Sequence, residues 1–369
     1  MRHPEQHIFQ FTPDTLREWC CTHDLPEYRA DQILDWVYRK NTADPGLMTN
    51  LSPGDRELLA REITFVSGDV LQHQTATDGT QKLLLQWVDP RAPGAVNSSL
   101  SLPQSGIAPD SSRQTECVMI PAGSRRTACI SSQVGCAVGC RFCASGVGGL
   151  DGNLSAGRIV EQVWQMTRLP GVERITNIVF MGMGEPLANF DPVLHAVRTI
   201  AAPWGIGVSA RKITISTVGL PAAIEKMADQ LELPVTLALS LHAPNDELRR
   251  ELIPWAEYTS IKELLAACDT WFRKTGREIT LEYILLGAVN DQPTHARQLA
   301  RIARTLRANV NLIRYNEVSG LPFTRPAAGD VRTFQALLQE GGVNVHLRAS
   351  RGRDIAAACG QLRHEAQHA

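Results

Sequence analysis

Residues 131–145 read SSQVGCAVGCRFCAS and set three cysteines, Cys136, Cys140 and Cys143, in a C-x3-C-x2-C array. Thiols at that spacing on one loop are metal ligands or redox groups, and three chemistries compete for them. A structural zinc site would need a fourth ligand, His or Cys, from elsewhere in the chain. A redox C-x2-C pair of the thioredoxin kind has no use for a third cysteine four residues upstream. An iron–sulfur cube takes cysteine ligands and, held by only three, keeps one iron open to a substrate. Further on, FMGMGEP (180–186) sets Gly182 and Gly184 before Glu185. Glycines let backbone approach a ligand closely, and Glu185 can accept a hydrogen bond from an amino group. A glycine turn with a capping glutamate would carry the same letters. The chain's nine cysteines are an odd number, which in a reducing compartment argues against a static disulfide framework. Cys117 and Cys268 read as small buried hydrophobes.

Those groups need elements to position them. Residues 12 to about 63 read as helical: PEYRADQILDWVYRKN puts Ile33, Trp36 and Val37 on one face, and Ser52 followed by Pro53 reads as a helix start. From about residue 64 the texture turns to strand, and LQHQTATDGTQKLLLQWV predicts a hairpin turning at Asp78–Gly79. Residues 89–113, rich in Pro, Ser, Gly and Ala, predict a long surface loop. From 115 onward short apolar strands (ECVMI, NIVFMG, KITIST, VTLALSLH, ITLEYILL, NVNLIRYN, VNVHLRAS) alternate with amphipathic helices. That rhythm predicts an α/β fold, a parallel sheet wound with helices as a barrel or an open sheet. Several of these strands end in Gly182–Pro186, Ser216–Gly219, Ser240–Pro244 and Asn316, and in a βα barrel such ends share one mouth.

Composition adds bounds. Hydrophobic residues make up 43% and charged residues 20%, an ordinary globular balance. Charge is even, 37 Lys+Arg against 38 Asp+Glu, so any surface for nucleic acid must be local. No apolar run approaches the ~20 residues that span a bilayer. The start, MRHPEQHIFQF, lacks a signal peptide's apolar core, so the cytoplasm is the expected location and no membrane partner is expected.

The cysteine spacing, with Phe142 before the last cysteine on the loop after a strand that opens a βα series, resembles the radical SAM superfamily. YRADQILDWVYRK, SSQVGCAVGCRFCASG, MGMGEPLANF, SLHAPNDELR, LIRYN and RGRDIAAACGQLR together resemble, over nearly the whole chain, the RlmN/Cfr family of RNA adenosine methyltransferases, and its RlmN branch most. The resemblance implies a partial (βα) radical SAM barrel over 115–369, an N-terminal helical accessory domain that contacts RNA (1–65), and a small β-hairpin connector with the long loop (66–114). It implies one 4Fe–4S cluster held by Cys136, Cys140 and Cys143, with S-adenosylmethionine (SAM) chelated at the open iron and cleaved to a 5′-deoxyadenosyl radical. Gly184, Glu185, Ser216, Ser240, Leu241, His242 and Asn316 match the SAM pocket.

The reaction it implies is methylation of carbon-2 of an adenine in 23S ribosomal RNA, and in transfer RNA as well. Cys359 matches the methyl-carrying cysteine. Cys129 matches the resolving cysteine, which forms a transient disulfide with Cys359, and Glu116 matches the general base. By residue type alone both cysteines would pass as core thiols, and Glu116 as an exposed strand residue. An electron donor such as flavodoxin or ferredoxin and a monomeric state are further expectations. Arg29, Arg39 and Lys40, with Arg125 and Arg126 near the barrel mouth, are candidate phosphate contacts. Arg314 stands where proline is common in the family, and Ala349 and Ser350 where charged residues are frequent; these departures bear on the RNA target. Two alternatives remain: Cfr-like methylation at carbon-8, and a non-catalytic RNA-binding protein with structural zinc.

Overall fold

A computed structural model of the chain describes residues 1–88 and 110–362. All but the last few residues of the expected long loop at 89–113 lie outside the described residues.

The N-terminal region is helical because its caps are in place. Thr12 accepts a hydrogen bond from the Thr15 amide at 3.2 Å and starts α1 (Pro13–Thr22). The next helix, α2 (Tyr28–Leu34), runs on into a widened π-helical turn, Asp35–Arg39, that buries Val37. Ser52 accepts from the Asp55 amide at 3.1 Å and Pro53 opens α3 (Pro53–Glu62).

The hairpin β1 (Gly68–Thr75) and β2 (Gln81–Trp87) turns at Asp78–Gly79 with Gly79 at positive φ, as expected. Then β3 (Gln114–Ala122) pairs antiparallel with both β2 and β4 (Arg125–Cys129). A small separate pair, β5 (Gln133–Gly135) and β6 (Leu150–Asn153), brackets the cysteine loop. The chain then alternates α4 (Ala156–Thr167), β7 (Asn177–Phe180), α5 (Phe190–Ala201), β8 (Ile213–Thr217), α6 (Pro221–Gln230) and β9 (Thr236–Ser240). It continues through α7 (Asp246–Leu252), α8 (Ile261–Thr275), β10 (Ile279–Leu285), α9 (Pro293–Ala303), β11 (Ala308–Arg314), α10 (Ala328–Glu340) and β12 (Val345–Arg348).

One ten-stranded sheet results, in the order β1-β2-β3-β4-β7-β8-β9-β10-β11-β12. Its strands from β4 to β12 are parallel, and β1 to β4 form an antiparallel extension. One expectation is corrected here. The strand that opens the parallel series is Arg125–Cys129, not the ECVMI strand, because the chain reverses at Gly123 (φ +59°). The five-residue RRTAC was too short and too basic to read as a core strand.

The helical region shares its core with the barrel. Glu161 of α4 is fully buried and accepts from the Gly68 amide at 2.8 Å, the Ser67 amide at 3.0 Å and the His7 ring at 3.0 Å. Trp164 donates to the Val37 carbonyl at 3.0 Å. A buried carboxylate with this many donors locks one docking geometry, because losing them would leave it unsatisfied.

Candidate active site

Parallel strands bring their carboxyl ends to one edge, and a cavity of about 130 Å³ opens there. Its wall includes Cys136, Cys140, Cys143, Gly184, Glu185, Ser216, Ser240, His242 and Cys359. Residues expected from three separate strand ends, the cysteine loop and the C-terminal segment therefore meet at one place.

The cysteine loop is pinned at both ends. The Cys136 amide donates to Gly149 O at 2.7 Å, the Arg141 amide to Leu252 O at 3.0 Å, and the Ala144 amide to Gly360 O at 2.8 Å. Gly135 is at φ +72°, and a Cβ there would fall 2.1 Å from Gly149 O, so this turn requires glycine. Apolar Val138, Phe142, Leu252, Ile253, Ile284, Ile313 and Tyr315 pack around the three thiols. Burial pushes the Cys136 thiol up to about 12, opposed by the amides of Val138 and Gly139. Burial also raises Cys143, against the amides of Ser145 and Gly146, and holds Cys140 well above the usual thiol range. Backbone N–H groups aimed at sulfur, within an apolar wall, suit thiolates held on an iron–sulfur group. Among the described residues no group of three or more His, Cys, Asp or Glu side chains is arranged to hold a single metal ion. Thiolates on three corners of a cube stand farther apart than thiolates on one zinc.

Beside the loop, Gly184 sits at φ +98° against Gln133, whose Oε1 accepts from the Glu185 amide at 2.8 Å. Glu185 is buried and accepts from the amides of Val218 (2.7 Å) and Leu187 (3.0 Å). Burial raises its carboxyl to about 7, opposed by those amides. The hydroxyls of Ser216 and Ser240 lie 3.1 Å apart. His242 holds a left-handed conformation (φ 58°), and its Nδ1 accepts from the Ile284 amide at 3.1 Å, which fixes the proton on Nε2. Burial, then the Arg249 charge, lowers it to about 3, so the ring is neutral.

Two expected pocket residues fall elsewhere. Leu241 is fully buried behind the wall, its amide donating to Glu282 O at 3.1 Å. Asn316 is buried and donates to the Cys359 carbonyl at 3.3 Å. It touches the C-terminal segment and is absent from the cavity wall.

Cys129, buried at the end of β4, and Cys359, exposed beside the cavity, are drawn together although far apart in the chain. Burial pushes Cys129 to about 12, and the charge of Cys359 adds to this; Cys359 is open to solvent at the cavity, yet the protein packed around its sulfur raises it to about 11. Arg348 opposes both shifts. Its Nη1 lies 3.5 Å from Glu282 Oε2 and 3.3 Å from Met181 Sδ. Glu116 is 4% exposed, which corrects the exposed-strand reading, and it pairs with Lys82 at 2.7 Å.

Sequence reasoning missed Glu282, Arg348, Lys82 and the buried Arg249, which donates to Val218 O at 2.6 Å and Leu241 O at 3.3 Å. One signal was present for Glu282: a lone carboxylate in the apolar strand ITLEYIL. The phosphate candidates divide. Arg29 is engaged by Asp55 (3.3 Å) and Asn50 O (2.9 Å); Arg39 and Lys40 are exposed, with Arg39 donating to Pro203 O at 2.7 Å and Lys40 standing 3.6 Å from Asp35 and over the Trp36 ring. Arg125 and Arg126 begin β4, so they lie at the strand's amino end, opposite the mouth where they were expected.

A parallel βα sheet with a three-cysteine loop and a glycine-rich strand end at its carboxyl mouth defines a radical SAM enzyme, and residues 130–300 match the radical SAM superfamily. Residues 6–64 match the ribosomal RNA large subunit methyltransferase N-terminal domain. The chain is 41% identical over 360 residues to the probable dual-specificity RNA methyltransferase RlmN of Rhodopirellula baltica, covering 97% of this chain and 91% of that one. It is 39% identical over 363 residues to the dual-specificity RNA methyltransferase RlmN of Dichelobacter nodosus, covering 96% and 93%. A radical SAM methyltransferase from Sphaerobacter thermophilus superposes with a TM-score of 0.89 at 39% identity, over 98% of this chain and 100% of that one. The chain belongs to the RlmN family of radical SAM RNA methyltransferases. Its cofactors are those of the superfamily, a 4Fe–4S cluster and SAM. Among the described residues no helix is long and apolar enough to cross a membrane.

Proposed function

We propose that the enzyme methylates carbon-2 of an adenine in 23S ribosomal RNA and in transfer RNA, by way of a methylated cysteine. The RlmN relatives are named for dual specificity toward RNA, which supports two substrate classes. The observation that carries the mechanism is the meeting of Cys359 with the three loop cysteines on one cavity, with Cys129 beside it.

Carbon-2 of adenine lies between two ring nitrogens and is electron-poor, so it does not attack a sulfonium methyl. Cys136, Cys140 and Cys143 would hold the cluster, and Glu185 would accept from the amino group of SAM, with Gly184, Ser216, Ser240 and His242 framing it. When bound, cluster and SAM supply the reductive cleavage that allows a hydrogen to be taken from a methyl group. The Cys359 thiolate first takes a methyl from one SAM: an S–C bond forms as the sulfonium–methyl bond breaks. After that carbon joins adenine, RNA is tied to Cys359 through a methylene, and the adduct's one unpaired electron would be taken up by the cluster, which the cleavage of SAM leaves one electron short.

Release falls to the chain's own groups. The Glu116 carboxylate takes the proton from the substituted ring carbon. Cys129 attacks the Cys359 sulfur, an S–S bond forms as the C–S bond breaks, and the electron pair passes to the methylene, which is protonated to methyl. An external thiol reductant then restores both thiols. Residues 1–65 serve as the RNA-contacting domain, with exposed Arg39 and Lys40 toward phosphate. Flavodoxin or ferredoxin is the electron donor and the enzyme acts as a monomer. Mass analysis of digested RNA after methylation in vitro tests the assignment. 2-Methyladenosine is expected, and 8-methyladenosine or no methylated adenosine would overturn it.

A further inference from the structure

Lys82 is a lysine in the middle of a sheet. It sits in β2 opposite Val118 of β3, with its side chain 7% exposed. A buried ammonium is costly unless its charge and donors are taken up. Its Nζ lies 2.7 Å from Glu116 Oε1 and also donates to the Ala356 carbonyl at 3.4 Å. Ala356 stands three residues before Cys359 and holds a left-handed conformation (φ 49°), which a non-glycine residue keeps only when its surroundings impose it.

The same hairpin grips the rest of that segment. The Thr77 amide donates to Asp354 Oδ2 at 2.9 Å, and the Gly352 amide donates to Asp78 Oδ2 at 3.1 Å. Gly352 is at φ +65°, and a Cβ there would come within 2.8 Å of Thr80 Cγ2. Hairpin and C-terminal segment therefore fit face to face, with Lys82 at the inner end of the contact.

We infer that Lys82 is a positioning residue for product release: its ammonium ties the Glu116 carboxylate to the Ala356 carbonyl and so holds the base in register with the carrier cysteine. This rests on the reading of Glu116 as base and Cys359 as carrier. Methyl transfer to Cys359 and SAM cleavage occur before release and do not use the pair.

The test uses the reconstituted, cluster-loaded full chain with RNA. Lys82→Met keeps the length and removes the charge; Lys82→Arg keeps the charge. For each, S-methylation of Cys359, 5′-deoxyadenosine formation, released methylated RNA and RNA-bound protein on denaturing gels are measured. Lys82→Met is expected to keep Cys359 methylation and SAM cleavage within about twofold, and to lose about tenfold or more in released product, as for a charged hydrogen bond. Protein covalently bound to RNA accumulates, and Lys82→Arg restores release. The double variant Lys82→Met/Glu116→Gln should release no less than Glu116→Gln alone, since a residue acting through another does not add to its loss. This double variant also removes the charge that Lys82→Met leaves buried without its ammonium, which threatens folding of the single one. Parent-like release by Lys82→Met, or a double variant markedly worse than Glu116→Gln, overturns the inference. If Glu116→Gln itself accumulates no RNA-bound protein, the base assignment fails instead.

Discussion

The cysteine loop at 136–143 and the C-terminal segment at 349–362 both present cysteine to the same cavity, and they are built in opposite ways. The loop is local: its three cysteines fall within eight residues, its flanks are closed by the β5–β6 pair, and an apolar shell surrounds it. The C-terminal segment has little structure of its own beyond the short turn Arg353–Ile355. It is held mainly by polar contacts to distant elements: Thr77, Asp78 and Lys82 of the hairpin, Asn316 after β11, and Ser145, which donates to Leu362 O at 2.7 Å; its apolar anchor is small, Ala357 and Leu362 against Val118, Cys129 and Met183. A cluster must not move once assembled, so its cradle is packed. A carrier that meets a methyl donor and then a base must disengage and return. Hydrogen bonds worth about 1 kcal/mol each permit that better than a buried core does.

Breaking the packed region should have the largest effect. Replacing any one of Cys136, Cys140 or Cys143 by Ala removes a ligand for which the loop holds no spare, so SAM cleavage should fall below detection. Iron content and 5′-deoxyadenosine formation after anaerobic reconstitution report this, and full cleavage in any of the three would refute the ligand assignment.

Breaking the carrier region should abolish product with cleavage still possible, and its two cysteines should fail at different stages. Cys359→Ala has no thiolate to methylate, so neither product nor RNA-bound protein forms. Cys129→Ala accepts the methyl and joins RNA but cannot expel Cys359, so RNA-bound protein accumulates. Denaturing gels with labelled RNA separate the two; identical, RNA-free behaviour of both folded variants would rule out the two-cysteine mechanism.

Between the regions lies Glu185, where Gln keeps an acceptor and removes the charge. SAM affinity should weaken about tenfold or more, the scale of one charged hydrogen bond, when read by equilibrium binding to the cluster-loaded protein. Unchanged affinity would remove Glu185 from the pocket.

Gly184→Ala sharpens the comparison within the packed region. Its Cβ would stand 2.6 Å from Gln133 Cβ at φ +98°, so a loss of about 1–3 kcal/mol is expected in thermal or denaturant unfolding. The smallest effect belongs to Asp354→Ala, which removes the acceptor for the Thr77 amide. Hydrogen exchange should quicken around 352–359 while iron content and exchange in the 136–143 loop stay at parent levels. Equal loosening of both regions would contradict the distinction drawn here.

Much of this was legible in residue order. Periodicity located the strands from β7 to β12 and the hairpin at Asp78–Gly79, because alternation, strand length and turn chemistry are local properties. It missed β4, whose Arg125 and Arg126 gave a parallel core strand a surface composition. That Cys136, Cys140 and Cys143 share one wall was plain because one loop carries them all. The place of Glu185 on the cavity was flagged by its two glycines, and the capping reading of the same letters holds as well, since its carboxylate accepts from the Leu187 amide at the start of the turn Pro186–Asn189. Leu241 and Asn316 matched the pocket by motif, yet the first turns inward and the second turns to the carrier segment. One residue of register decides which way a side chain at a strand end points.

By itself, then, the sequence determined the α/β rhythm, the cluster loop and the family to which its motifs belong, all written in short spans. Tertiary structure alone decided that Lys82 pairs with Glu116 and that the Arg348 charge acts on both distant thiols, and it brings together Cys129 and Cys359, which only the motif match had joined. The reason is topological. β4 and β12 are far apart in the order of the sheet, and the segment after β12 returns to the hairpin beside β3. Which side chains that return brings together depends on strand order and closure, which no local spacing encodes.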